Sequence, residues 1–332
     1  MTARPVLLTG AAGFIGSHTA EALLRAGRRV VGIDNFDPFY SDALKRANVA
    51  AIEATARRCV DGRFEFIDAD ITDRASMKAL FERVKPEGLI HLAAKAGVRP
   101  SIADPAAYSH VNVTGTSVLL DQCAAMKGDL QRIVIASSSS VYGTIDAGAT
   151  PKPFSEEQSV ERPISPYAAT KRACELIGFT HHHLTKQPVA MLRFFTVFGP
   201  RQRPDLAIRL FMTKIAKGEP IQLFGEGSTS RDYTFIDDIV GGVLAAYDRV
   251  PGFGYRVWNL GNSHPITLDE MVETIAKVVG KVPNATRAAA QAGDVRATWA
   301  DPTRSAAELD FRAKTSFEEG VRKQWEWLRE RL

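Results

Sequence analysis

Along roughly the first 200 residues, short apolar runs alternate with segments long enough to be helices. The runs are PVLLTG (5–10), RRVVGID (28–34), FEFIDAD (64–70), GLIHLAA (88–94), RIVIASS (132–138) and VAMLRFF (189–195), and each reads as a strand. Helical patterns near 14–26, 74–84, 107–126 and 167–185 lie between them. Strands joined through helices need right-handed crossovers, and such units build a parallel sheet with helices on both faces. The expected fold is α/β, with a doubly wound parallel sheet. Ligands of such sheets bind at the carboxyl ends of the strands, so the residues there matter first.

From about Gly199 the alternation gives way to Pro, Gly and basic residues mixed with short apolar pieces. Residues 1–198 are therefore expected to form the sheet domain and 199–332 mainly a smaller, interleaved one. Segments near 237–262 again read as helix and sheet strand, which returns the chain to the first domain. A 332-residue chain that is 45% hydrophobic has ample material for such a core. Its 42 basic and 38 acidic side chains are interspersed and nearly balanced, so no nucleic-acid partner is expected. No apolar stretch reaches the ~20 residues that span a bilayer. No signal-peptide pattern precedes the first strand, so no membrane partner is expected and the expected location is cytoplasmic. Cys59, Cys123 and Cys174 lack metal-ligand spacing. His181, His182 and His183 are consecutive on a helical pattern, where neighbours point about 100° apart and cannot meet one ion. No metal site is expected.

The first strand runs into TGAAGFIGSH, which places Gly10, Gly13 and Gly16 at a strand-to-helix turn. Glycine there allows a tight turn and lets backbone amides approach a pyrophosphate. Phe14 and Ile15 open the helix, whose amino terminus carries partial positive charge toward the phosphates. Asp34 ends the second strand, where a carboxylate accepts hydrogen bonds from an adenine ribose and favours NAD over NADP. Asn35 and Phe36 follow, with no arginine ready for a 2′-phosphate, and Asp70 at the end of the third strand suits the adenine side. The set predicts a Rossmann-type NAD site.

Two further features carry chemistry. SPYAATKRACEL puts Tyr167 and Lys171 four residues apart on a helix, hence on one face. An ammonium beside a phenol favours the phenolate, so the pair can act as a base near neutral pH. The strand RIVIASS closes in four hydroxyls, Ser137 to Ser140, at the ligand-binding edge of the sheet.

Together these motifs resemble the extended short-chain dehydrogenase/reductase family over essentially the whole chain. HLAA (91–94) and NVTGT (112–116) are similar to further family motifs. The resemblance extends the cofactor set to Ile71, Leu92, Ala93, Ala94, Lys95, Asn112 and Phe195, beside Tyr167 and Lys171. RFFTVFGPRQRPD (193–205) and RDYTFIDDI (231–239) resemble the nucleotide-sugar branch. That implies a UDP-sugar substrate, with Arg231 on its pyrophosphate, Asp294 on its uridine ribose, and Arg99, Thr196 and Arg203 at the same site. It also implies a homodimer. DNFDPFYSDALKR (34–46) with AAKAGVRPSI (93–102) resembles the UDP-glucuronate 4-epimerases, departing from them at Lys95, Pro100 and Gln291-Ala292.

The resemblance implies a shared first step, in which Tyr167 takes the 4-hydroxyl proton while C4 gives hydride to NAD. Related dehydratases carry Asp-Glu, and decarboxylases Glu, just before Val-Tyr-Gly; here those places are Ser139 and Ser140. Neither is an acid, which disfavours loss of water. A 4-keto glucuronate is a β-keto acid, and keeping its carbon dioxide requires that its carboxylate be oriented. Ser138 is expected near Tyr167 and the 4-oxygen, with Ser139 and Ser140 on the carboxylate and Thr196 opposite. The expected reaction is C4 epimerisation of UDP-glucuronate to UDP-galacturonate. The alternatives are a UDP-glucose/UDP-galactose 4-epimerase, a UDP-glucuronate decarboxylase and a non-catalytic NAD-binding sensor.

Overall fold

A seven-stranded parallel sheet organises the first part of the chain in the computed structural model, which describes residues 4–60, 63–143, 152–225, 227, 229–289 and 297–332. In chain order the elements are β1 (Val6–Thr9), α1 (Phe14–Arg25), β2 (Val30–Asp34), α2 (Asp42–Arg58), β3 (Phe64–Asp68), α3 (Arg74–Val84) and β4 (Gly88–His91). Next come α4 (Val98–Ala103), α5 (Pro105–Tyr108), a π-helical turn (Ser109–Thr114), α6 (Gly115–Ala125), β5 (Ile133–Ser138), α7 (Pro166–Thr185) and β6 (Val189–Phe194). β1, β4, β5 and β6 are buried along their whole length, which explains their near-continuous apolar runs.

The strand order is β10-β6-β5-β4-β1-β2-β3, with β10 (Tyr255–Leu260) supplied from late in the chain. From β1 the chain builds outward to β2 and β3, then returns to place β4 on the other side of β1. The order thus reverses between β1 and β4, the switch point at which such sheets open a crevice. One face of the sheet, including Leu7, Ile33, Leu89 and Ile135, packs on Met77 and Phe81 of α3, Leu119 of α6 and Cys174 of α7. The helix expected over 107–126 is broken by the π-helical turn, which accommodates one extra residue. Helix α2 has no counterpart in the sequence reading; it is rich in Ala and Arg and buries only Lys45, Asn48, Val49 and Ile52.

The remaining elements are β7 (Thr196–Phe198), α8 (Ala207–Lys217), β8 (Ile221–Phe224), β9 (Ser230–Phe235), α9 (Ile236–Arg249), β11 (Pro265–Thr267), α10 (Leu268–Val279), β12 (Ala285–Ala288), β13 (Ala297–Thr298), α11 (Thr303–Leu309) and α12 (Phe317–Arg329). Strand β9 pairs with β7, β11 and β13, while β8 pairs with β12. Helix α10 packs on α8 and α12.

The chain divides into two compact units. The first comprises Met1–Val141, Val160–Arg193 and Val240–Trp258; the second comprises Tyr142–Ser159, Phe194–Ile239 and Asn259–Leu332. No helix among the described residues is long and apolar enough to cross a membrane.

Candidate active site

The first unit carries the expected cofactor residues other than Phe195, most of them at its strand ends. After β1 the chain turns at Gly10, whose φ of 72° lies in the left-handed region. A Cβ on Gly10 would sit 2.7 Å from the Ala93 nitrogen, and one on Gly16 would overlap the Gly10 carbonyl oxygen. Glycine is therefore required at both places by the close approach of backbone to backbone. Gly13 precedes α1, and no side chain caps that helix, so the N–H groups of its first turn, beginning with Phe14 and Ile15, suit an anion.

At the end of β2, Asp34 accepts hydrogen bonds from Ala12 N (3.2 Å) and Phe36 N (2.9 Å). Burial pushes its carboxyl above the ordinary range, with the Lys45 ammonium opposing. Asn35 Nδ2 donates to Asp70 Oδ2 at 3.0 Å, and Thr72 donates to Asp70 Oδ1 through both its N and Oγ1. Burial works to raise the Asp70 carboxyl, but these hydrogen bonds hold it below the usual carboxylate range. Phe36 adopts a left-handed φ of 51°, and the Arg46 guanidinium lies 4.4 Å from its ring centroid. Arg46 approaches this end from α2, with its Nε bonded to Asp42 Oδ2 at 2.6 Å. Ile71 is buried and lies against Gly115 at the start of α6.

Beyond β4, the segment Leu92–Lys95 is held by Asn112 from the π-helical turn. Asn112 Oδ1 accepts from Lys95 N (2.8 Å), and its Nδ2 donates to Lys95 O (3.0 Å) and to Thr170 Oγ1 (3.0 Å). The Asn112 amide thus positions the loop that the sequence reading assigned to the cofactor. His91 is buried between Thr9 Oγ1 (2.7 Å) and Thr116 Oγ1 (3.1 Å), and burial first, then the Lys171 charge, pushes its pKa down to about 3. It is a neutral strut between strand and helix, not an acid–base group. Pro100 lies in the first turn of α4, where a missing N–H costs little, and Arg99 is exposed on the same helix.

Tyr167 and Lys171 lie on α7, capped by Ser165, whose side chain accepts from Ala168 N at 3.1 Å. Tyr167 N donates to Ser101 Oγ of α4 (3.1 Å), and the Tyr108 ring meets the Tyr167 ring edge-on at 6.2 Å. Lys171 is buried and donates to the Ala136 carbonyl oxygen of β5 at 2.7 Å. That bond ties the ammonium to the strand two residues before Ser138. Ser138 Oγ accepts from Ser140 N and donates to Ser140 Oγ, both at 3.1 Å. Ser139 and Ser140 are half-buried in the 3-10 turn that follows.

Ser137 points the other way and donates to Glu175 Oε1 at 2.7 Å. Glu175 is fully buried one turn beyond Lys171, where Arg193 of β6 and Arg172 also bond its carboxylate. This network was not read from the sequence. A glutamate eight residues after Tyr167, on the same helical face, and an arginine inside the buried strand VAMLRFF were its signals. His181 and His182 both bond Gln187, through Nε2 to Oε1 and Nδ1 to the carbonyl oxygen, each at 2.8 Å.

Phe195, Thr196, Arg203 and Arg231 belong to the second unit. Phe195 N donates to Leu260 O (3.1 Å), and Thr196 opens β7, paired with Tyr233. Arg203 pairs with Asp205 at 2.8 Å, and Arg231 Nη1 donates to Ser230 O at 2.8 Å. Beside Arg231, Asp232 is wholly buried and accepts backbone N–H groups from Asn262, Ser263 and Ala300, which fixes two loops against β9. Asp294, with Gln291 and Ala292, lies outside the described residues.

Residues 7–324 match the family described as GDP-mannose 4,6 dehydratase. The chain is 38% identical over 328 residues to the UDP-glucuronate 4-epimerase of Thermodesulfobacterium geofontis, covering 98% of this chain and 96% of that one. It belongs to the extended short-chain dehydrogenase/reductase family, among the nucleotide-sugar epimerases. UDP-glucuronate 4-epimerase 3 of Arabidopsis thaliana is 40% identical over 337 residues, covering 97% of this chain and 76% of that one. Among solved structures, UDP-glucuronic acid 4-epimerase from Bacillus cereus, in complex with UDP-glucuronic acid and NAD, has a TM-score of 0.89 at 32% identity, covering 99% of this chain and all of that one.

Proposed function

We propose that this protein is an NAD-dependent epimerase that inverts C4 of UDP-glucuronate to give UDP-galacturonate through a transient 4-keto sugar. The observation that carries the reading is the buried Lys171, bonded to β5 just before Ser138 and one helical turn from Tyr167. A binding module needs neither a buried ammonium one helical turn from a phenol nor a run of hydroxyls at the end of the strand which that ammonium bonds.

The strand edge suits NAD. The glycine turn leaves no room for side chains, the amino terminus of α1 is open to a pyrophosphate, and Asp34 can still accept from ribose hydroxyls through its remaining lone pairs. Bound there, NAD supplies the acceptor that takes hydride from C4 and returns it. Gly10 to Gly16 hold the pyrophosphate, Asp34 to Phe36 with Asp70 and Ile71 hold the adenosine, and Leu92 to Lys95, Asn112 and Phe195 line the remainder.

Tyr167 takes the 4-hydroxyl proton as general base, and Lys171 lies one helical turn on with its ammonium on the Ala136 carbonyl oxygen. Ser138 orients the 4-oxygen, while Ser139, Ser140 and Thr196 hold the carboxylate away from the alignment that releases carbon dioxide. Arg231, with Arg203, Arg99 and Asp294, grips the UDP portion, since a planar guanidinium suits phosphate oxygens. Inversion requires the ketone to present its second face, so this grip must persist while the sugar turns.

The protein acts as a homodimer through α7, where Leu176, Phe179 and Leu184 are exposed (52%, 51% and 75%). It works in the cytoplasm, whose reducing conditions suit its three free cysteines. The test is to incubate purified protein with UDP-glucuronate and with UDP-glucose separately and read the C4 configuration of each product by NMR. Conversion of UDP-glucuronate is expected; conversion of UDP-glucose alone would assign the neutral sugars instead.

A further inference from the structure

Two residues that follow different strand ends form an ion pair. Lys95, after β4, places its Nζ 2.9 Å from Asp37 Oδ2, after β2. Strand β1 lies between β4 and β2, so the pair reaches across two strand spacings, about 9.5 Å, above the end of β1. We propose that Lys95 and Asp37 form a clasp over the dinucleotide pyrophosphate that slows release of the cofactor. The inference rests on the reading above that the glycine turn holds NAD.

A half-exposed ion pair is usually weak, because holding two flexible side chains together costs entropy. Here both partners are fixed beforehand. Asp37 Oδ1 accepts from Phe39 N (3.0 Å), its own N donates to Asn35 Oδ1 (3.1 Å), and its carbonyl oxygen accepts from the buried Lys45 ammonium (2.6 Å). On the other side, the Asn112 amide bonds both the N and the O of Lys95. The side chains are only 25% and 30% exposed, which limits screening by salt. Lys95 is also one of the positions at which this chain departs from the epimerase pattern, so the clasp is a property of its own sequence. The chemistry gives it a use. An epimerase returns the hydride to the same sugar, so the dinucleotide need never leave between turnovers, and its loss at the keto stage would strand the enzyme.

A clasp and a direct phosphate ligand differ in what Asp37 does. If Lys95 simply binds phosphate, the neighbouring carboxylate competes for it, and removing that charge tightens binding. If the pair is a clasp, removing either charge loosens it. The experiment loads the full-length protein with radiolabelled NAD, dilutes it into excess unlabelled NAD and follows label loss by rapid gel filtration. Asp37→Asn keeps an acceptor for Phe39 N while removing the charge, and Lys95→Gln keeps much of the side-chain length. Each is expected to release label about five-fold faster than the parent, and the double variant no faster than either single one. Raising the salt concentration should speed release from the parent more than from the variants. Thermal melts of the variants without added NAD should match the parent, which separates a clasp from general damage. Slower release from Asp37→Asn, unchanged release from both single variants, or additive effects in the double variant would each overturn the clasp. A parent first stripped of bound dinucleotide that then takes up no label overturns the cofactor reading itself, and the clasp with it.

Discussion

Arg193 of β6 holds Glu175 of α7 through two parallel hydrogen bonds, Nε to Oε1 at 2.8 Å and Nη2 to Oε2 at 2.9 Å. Ser137 and Arg172 complete the carboxylate's shell, and Tyr255 Oη donates to the Glu175 carbonyl oxygen at 3.0 Å. One helix and three strands of the sheet therefore converge on a single buried residue.

Glu175→Ala leaves Arg193 buried without its partner, a loss of about 3–5 kcal/mol for broken buried pairs. Chemical denaturation should show that drop, and Glu175→Met with Arg193→Met should recover part of it. The pH dependence has a definite sign. Burial works to raise the Glu175 carboxyl, but Arg193, Ser137 and Arg172 outweigh it and hold the carboxyl below the usual range. Its contribution is then present above the unfolded glutamate value of about 4.3 and is lost as pH falls through the lower folded value. Stability curves measured from pH 7 into that acid range should lose this component, and the double variant should lack it.

Tyr167→Phe removes the phenol proposed as proton acceptor and keeps the ring that meets Tyr108. Turnover of UDP-glucuronate should fall by ~10²-fold or more, while substrate binding survives. Near-normal turnover would exclude Tyr167 as the base.

Asp34 should repel a 2′-phosphate and favour the ribose diol. Calorimetry should find NAD bound far more tightly than NADP, and Asp34→Asn should narrow the gap. The nearby Arg46 makes this a demanding comparison, because comparable affinities would assign that guanidinium to a 2′-phosphate.

Replacing Ser139 and Ser140 together with alanine should leave hydride abstraction largely intact, since Ser138, Tyr167 and Lys171 remain. Hydrogen bonds to a charged group are worth ~1.5–3 kcal/mol each, so the carboxylate gains freedom to align with the ketone. The variant should release a UDP-4-keto-pentose and carbon dioxide and retain NADH, visible as bound-NADH absorbance beside the sugar products. Clean epimerisation without a pentose would reduce the two serines to a strand end.

The parallel sheet was legible because β1, β4, β5 and β6 are buried along their whole length and read as near-continuous apolar runs. Asp34 at the end of β2, and Tyr167 with Lys171 on α7, stand at the strand end and on the helix where the sequence placed them, because each position follows from a single element. What stayed hidden depends on pairing between distant elements. Glu175 reads as an ordinary helical charge until β6 brings Arg193 to it, and Asp232 reads as one more acid in RDYTFIDDI until the loops at 262–263 and 300 fold onto it. Asp37 passes as a loop residue for the same reason. Helix α2 escaped because Ala and Arg, spread around its surface, give no clear apolar stripe.

The π-helical turn at Ser109–Thr114 makes residue count, as well as residue type, a specification. An α-helix advances about 100° per residue, so deleting one residue from this turn would restore plain helical winding and swing Asn112 by roughly that angle away from Lys95. The apolar side of α6, beyond the turn, could stay seated on the sheet while the loop after β4 lost its fastening. A chain one residue shorter here would keep every named side chain and still have lost an instruction, carried as length, for where the cofactor edge is held.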